Sequence, residues 1–200
     1  MKNKFITSLL AGAVFLGAIA PASAMDFEID EARFGGSILD IPTPERQWYR
    51  EYDMPGINGE VLFAPFDWDL RENPTEGFIR ELATPRLHIG ATVSFDDHSP
   101  SSIYSGVTWH HALGSILFIE SSFGGALHNG ELTPKWNAAR TKQKRGLGSP
   151  LLFRESVSIG ANLGDDMTLV LQLSHMSHAG LAGDDNSGQT DVSLKLGKKF

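Results

Sequence analysis

A histidine and a serine stand two residues apart near the carboxyl end of the chain, at His175 and Ser177. In a β-strand, residues i and i+2 point to the same face with their backbones about 7 Å apart, so side chains that lean together can reach hydrogen-bond distance. A serine hydroxyl is a poor nucleophile unless a base lies beside it, and an imidazole is such a base. The pair is therefore a candidate for nucleophilic chemistry if this segment forms a strand.

The pair lies on an apolar face of that segment. Leu169, Leu171 and Leu173 form an odd-numbered series, and His175 and Ser177 continue it. A polar pair on a face that meets lipid is costly unless it has a function or a partner. The alternative interpretation is that both residues lie above the edge of the bilayer, where polarity costs nothing, and spacing alone does not exclude it.

Alternation of apolar and polar residues recurs along the chain and predicts eight strands, an even number at spacings typical of an antiparallel meander. We place them near residues 27–40, 57–66, 87–95, 102–113, 115–130, 153–163, 168–178 and 191–200. Two architectures fit: a soluble lipocalin-type barrel with an apolar interior, or a membrane barrel with an apolar exterior. The last strand alternates and closes on Phe200, which favours an all-β, eight-stranded antiparallel transmembrane β-barrel.

The amino-terminal segment predicts export. Lys2 and Lys4 precede a short apolar run that ends at Ala22-Ser23-Ala24, the pattern of a secretory signal peptide. We therefore expect residues 1–24 to be removed and residues 25–200 to form one barrel domain. The chain has no cysteine, so it cannot be stabilised by disulfide bonds even though they form in exported proteins. Its net charge of −7 argues against a nucleic-acid-binding protein, which would show a basic surface.

The motif His175-x-Ser177, followed by 179–181 (Ala-Gly-Leu) and Asn186-x-Gly188, resembles the lipid A 3-O-deacylase (PagL-type) family. Segments 123–130 and 147–155 resemble the fifth and sixth strands of that family, so the resemblance covers most of residues 85–200. The family is an eight-stranded outer-membrane barrel that removes an ester-linked acyl chain from lipid A, with its catalytic residues on the outer wall. The resemblance implies an esterase in the outer membrane of a Gram-negative bacterium.

Site residues follow from the same resemblance. It implies that Ser177 is the nucleophile and His175 the general base. Asn186 and the backbone N–H of Gly180 match the oxyanion-hole positions of the family, where the loss of one donor costs about 10²–10³ in rate.

The chain departs from the family pattern at the acid of the triad. Alignment on Asn186-x-Gly188 puts Thr190 where the family has a glutamate, and His178 replaces the asparagine that follows the serine. Three partners for His175 remain: Asp191 after a small shift in strand register, Glu155 on the neighbouring strand, or the Thr190 hydroxyl alone. We favour Asp191, because the preceding turn can move the start of the last strand.

The remaining expectations concern ligands and partners. His110 and His111 are adjacent and would face opposite sides of a strand, so we expect no metal and no cofactor. The expected partners are lipid A within lipopolysaccharide and the outer membrane, with homodimerisation left open and no nucleic acid. The basic run 140–145, in a predicted extracellular link, would contact phosphates or simply be solvated. Residues 77–82 in the link 67–85 predict a short surface helix.

Two other functions stay open at this point. The first is a non-catalytic structural or lipid-binding outer-membrane barrel that kept the fold and lost the acid. The second is a soluble periplasmic binder of lipocalin type.

Overall fold

The computed structural model describes residues 27–41, 54–65, 83–133, 145–164, 166–182, 186 and 188–200. Within these ranges eight antiparallel strands close into a barrel, in which each strand pairs with its neighbours in sequence and the first pairs with the last. The strands are β1 (Ile29–Leu39), β2 (Met54–Pro65), β3 (Arg86–Ser94), β4 (Ser102–Leu113), β5 (Leu117–His128), β6 (Leu151–Gly164), β7 (Met167–Ser177) and β8 (Gln189–Lys199). The predicted eight-stranded barrel is confirmed.

Three sequence predictions fall outside the described residues: the signal peptide, the helix over 77–82 and most of the basic run 140–145. No helix in the described part of the chain is long and apolar enough to cross a membrane.

The barrel wall is apolar outside and polar inside. Phe34 on the outer wall is 62% exposed, whereas Lys195 and Glu31 on the inner wall are 0% exposed. Large apolar side chains point outward from all around the wall, among them Ile38, Ile89, Val93, Ile119, Phe123, Val157, Ile159, Leu171, Leu173 and Leu194. This arrangement is the reverse of a soluble barrel, because apolar area gains from leaving water and so faces inward in a soluble protein.

Buried charges inside the barrel are compensated by ion pairs. Arg33 donates to Glu120 and to Glu31 at 2.6 Å each, and Arg86 donates to the same Glu120. The Lys195 ammonium lies 2.6 Å from a Glu60 carboxylate oxygen. Burying a charge without a partner is expensive, so these pairs let a narrow interior hold several charges.

The start of β1 and the end of β8 lie at the same end of the barrel, since Glu31 pairs with Lys199. We call the opposite end the distal end. There an apolar cluster fills the interior, formed by Tyr104, Ala126, Leu147, Leu152 and Met176. Leu147 belongs to the link between β5 and β6, so the described end of this link reaches into the mouth of the barrel.

Arg145, the described member of the basic run, also lies at this mouth. Its guanidinium forms an ion pair with Asp40, and its backbone N–H donates to the carbonyl of His98 at 2.8 Å. Arg145 is therefore engaged with Asp40 at the mouth, and contact of the basic run with phosphates stays a prediction.

Candidate active site

The segment that carries His175 and Ser177 is the distal end of β7. Both side chains are half-buried on the outer wall, where they continue the exposed series of Leu171 and Leu173. The residue between them, Met176, is 3% exposed and packs into the apolar cluster of the interior. Alternation predicted this orientation, and the buried Met176 anchors the strand directly behind the pair.

Thr190 fixes the imidazole of His175. It lies directly opposite His175 in the ladder between β7 and β8, and its Oγ1 is 2.8 Å from His175 Nδ1. With Nδ1 engaged in this hydrogen bond, Nε2 is the ring nitrogen that remains for a proton transfer.

Gly188 lies against the opposite edge of the ring. A Cβ at this position would be 3.0 Å from His175 Nε2 and 2.8 Å from Cε1. Its φ of +56° also belongs to the left-handed region that favours glycine. Gly188 directly precedes Gln189, the residue of β8 that pairs with Met176. The sequence motif contained Gly188 but did not reveal this contact.

Ser177 and His175 do not share a hydrogen bond within the described residues. Catalytic hydrogen bonds are often long in proteins without substrate and shorten in the reacting complex. His175 and Ser177 lie two positions apart on one face of the strand, so rotation of their side chains alone can bring the hydroxyl to the imidazole.

The two predicted oxyanion-hole residues lie in the turn after β7. The His178 backbone N–H donates to Asn186 Oδ1 at 3.2 Å. Since a backbone N–H can only donate, this contact turns the amide oxygen of Asn186 towards His178 and leaves its NH₂ group for another acceptor. Gly180 is exposed with a φ of +76°, and Ala179 before it has a φ of +52°. A non-glycine residue in this region signals local strain, which is common at functional turns.

Asp191 does not lie near His175, and the expected approach of this acid is corrected here. Strand β8 begins at Gln189 without a shift, so Asp191 points into the barrel and pairs in register with Ser174. Its carboxylate accepts the backbone N–H of Asp40 at 2.9 Å and the Gln189 amide at 3.0 Å. The β7–β8 ladder puts Thr190 on the outer wall and Asp191 on the inner wall.

Glu155 lies on the outer wall of β6, exposed and directly opposite His175 in the β6–β7 ladder. One pair further towards the distal end, Phe153 lies opposite Ser177. The Phe153 ring stacks on Phe123 of β5, with ring centroids 5.9 Å apart. Ser177 is thus bordered by an apolar aromatic surface and His175 by a carboxylate.

Two further histidines, His88 and His110, have hydrogen-bond partners inside the barrel. His88 hydrogen-bonds Thr108 at 2.9 Å, and His110 lies 3.0 Å from Glu120 inside the barrel. No group of three or more His, Asp or Glu side chains suited to a metal ion occurs in the described ranges. The expectation that the protein needs no metal or cofactor stays a prediction.

Comparison with known proteins agrees with this architecture. The family model described as lipid A 3-O-deacylase (PagL) matches residues 93–199. A crystal structure of the outer membrane enzyme PagL covers 86% of this chain and 99% of its own, with a TM-score of 0.55 and 18% identity.

Two further solved structures were found at 7% identity. A de novo designed transmembrane β-barrel covers 88% of this chain and 98% of its own with a TM-score of 0.49. The Yersinia pestis outer membrane protein Ail covers 86% and 99%, with a TM-score of 0.45. No curated protein sequence matches the chain.

The closed barrel with its apolar outer wall defines an outer-membrane β-barrel of a Gram-negative bacterium. Within that class, the chain belongs to the lipid A 3-O-deacylase (PagL) family.

Proposed function

We propose that this protein is an esterase that removes an ester-linked acyl chain from lipid A, with Ser177 as nucleophile and His175 as general base. The observation that carries the proposal is the position of the pair. A serine and an oriented imidazole lie on the same face of β7, on a wall whose large exposed side chains are apolar. A water-soluble substrate would not reach such a surface easily, whereas a membrane lipid lies against it.

The reaction follows from the hydrogen bonds of His175. When Nδ1–H donates to Thr190 Oγ1, Nε2 carries the lone pair that accepts the Ser177 proton. Ser177 Oγ then bonds to the ester carbonyl carbon, and the carbonyl oxygen becomes an oxyanion. Collapse breaks the ester bond, and the imidazolium gives its proton to the departing sugar oxygen. A water molecule, deprotonated by the same imidazole, hydrolyses the acyl-enzyme and frees the fatty acid.

The oxyanion forms within reach of the turn after β7. The Asn186 NH₂ group and the Gly180 backbone N–H are the donors that we assign to it. Donors held in place before the reaction stabilise the developing charge without rearrangement, which is usually the largest electrostatic contribution to acyl transfer. The hydrogen bond from the His178 backbone N–H helps to hold the Asn186 side chain in place before the reaction.

The membrane arrangement supports the substrate class. If the distal end faces outward, the site lies at the level of the outer leaflet, where lipid A is located. Phe153 and Phe123 then offer an apolar surface beside Ser177 for an acyl chain. Residues 140–144 remain a prediction for phosphate contact, and a homodimer remains a further proposal.

The mechanism is tested with the folded full-length barrel in lipid vesicles that contain lipid A, by measuring fatty-acid release. We expect Ser177→Ala and His175→Ala to lose measurable release, because one removes the nucleophile and the other its base. Both variants should keep the heat-modifiable electrophoretic mobility of a folded barrel, because neither side chain packs inside it. Turnover of Ser177→Ala at the wild-type rate would exclude the serine mechanism.

A further inference from the structure

Glu155 is a carboxylate on a wall that faces lipid. Its neighbours along β6 on the same face are Phe153 and Val157, both exposed, and its partner across the ladder on β5 is Phe123. An ionisable side chain in such surroundings is costly and is normally kept for a partner or a function.

The polar neighbour of Glu155 on this face is His175. The two residues are directly opposite in the β6–β7 ladder, and side chains so placed have Cβ atoms about 5 Å apart. Glu155 makes no hydrogen bond or ion pair with any described residue, His175 included. Its carboxylate is therefore free to turn towards the imidazole when that ring becomes positively charged.

Thr190 occupies the other side of the same ring. Its hydroxyl lies 2.8 Å from Nδ1 and so sets the orientation of the imidazole. A hydroxyl has no charge, however, and gives the imidazolium no ionic partner. In a triad, one carboxylate performs both tasks.

We propose that these two tasks are divided in this protein: Thr190 on β8 orients His175, and Glu155 on β6 supplies the negative charge that stabilises the imidazolium. This inference rests on the proposed function of Ser177 and His175. Glu155 is then a positioning and charge-balancing residue that acts through His175 and does not touch the ester.

The division predicts distinct effects for the two neighbours. Glu155→Gln keeps the size of the side chain and removes its charge, so kcat should fall by about 10²-fold with KM unchanged. This fall is smaller than the ~10⁴-fold loss of a complete triad acid, because Thr190 still holds the ring in its orientation. Glu155→Asp should keep more of the activity than Glu155→Gln. Thr190→Val should also lower kcat, because the ring loses its anchor.

The decisive variant is Thr190→Glu, which brings a carboxylate to Nδ1 itself. We expect the double variant Glu155→Gln/Thr190→Glu to recover at least tenfold in kcat over Glu155→Gln alone. If Glu155 had a purely structural role, a carboxylate at position 190 on β8 would not restore kcat. Asp166→Asn, an acid-to-amide change at the other end of the barrel, serves as the matched control and should leave kcat unchanged.

The assay is fatty-acid release from lipid A vesicles by folded barrels, with kcat and KM determined separately. Wild-type kcat in Glu155→Gln, or a folded double variant without recovery, would overturn the proposal while leaving the serine mechanism intact. Activity in Ser177→Ala would instead remove the mechanism on which the proposal rests, so the two failures are distinguishable.

Discussion

His175 is the residue on which the geometry of the site converges. A hydroxyl holds one ring nitrogen, and a glycine without side chain lies against the other. Both constraints come from the first residues of β8 and the turn before it, which explains why a short motif such as Asn186-x-Gly188 matters for a histidine on another strand.

Gly188→Ala tests this packing. A methyl group at this position would press on His175 Nε2, and the backbone would also be strained at a φ of +56°. We expect kcat to fall by about 10²-fold, because a displacement of about 1 Å in a catalytic group has that effect. The measurement is fatty-acid release by the folded variant.

Gly36→Ala is the matched control. It lies on the outer wall of β1, and a Cβ there meets nothing within 4 Å. Its kcat should equal that of the wild type. Equal kcat in Gly188→Ala as well would show that the ring does not depend on this contact.

At the scale of single residues, the sequence predicted which residues share a face but not which ones touch. The odd-numbered series in β7 placed His175 and Ser177 together on the outer wall. The identity of the imidazole partner depends on the register between β7 and β8, which the alternation of residues in the sequence does not determine. The favoured Asp191 was wrong for this reason: β8 starts at Gln189 and turns Asp191 inward.

The strands themselves were predictable, because alternation repeats with a period of two and the inner and outer walls have opposite polarity. The ion pairs between them were not. Arg33 and Glu120 are 87 residues apart, and their contact depends on how the strands are staggered around the closed barrel. The alternation in the sequence predicted a polar interior, but it did not predict which charged side chains form ion pairs there.

The pair between Lys195 and Glu60 gives a prediction for the stability of the strands. Glu60→Gln leaves the fully buried ammonium of Lys195 without its carboxylate. The free energy of unfolding should fall by about 3 kcal/mol, as expected when one member of a buried ion pair is removed. Urea unfolding in vesicles, followed by tryptophan fluorescence, measures this change.

An exposed ion pair provides the comparison for that experiment. Asp166 and Lys198 lie 3.5 Å apart with side chains 72% and 49% exposed. Asp166→Asn should change the free energy of unfolding by less than about 1 kcal/mol, because exposed pairs contribute little. Equal losses in both variants would mean that burial of the pair inside the barrel does not determine its contribution.

At the scale of the whole molecule, the proposed function puts the chemistry on the outside of the wall. Its interior is occupied by ion pairs and, at the distal end, by an apolar cluster, so the wall is the surface that remains for a lipid. A substrate held in the membrane needs no cavity in the protein, since diffusion in the leaflet brings it to the wall. Under the proposed function, the barrel is a support that presents Ser177 and His175 to lipid.

The most direct test of this account is a mass spectrum of lipid A from Gram-negative cells that express the protein. The comparison needs an empty vector and Ser177→Ala, with each barrel shown to be folded in the outer membrane at equal amounts. The account predicts lipid A that lacks one ester-linked acyl chain in wild-type cells alone. Unchanged lipid A in cells that carry the folded wild-type barrel, in several lipopolysaccharide backgrounds, would contradict it.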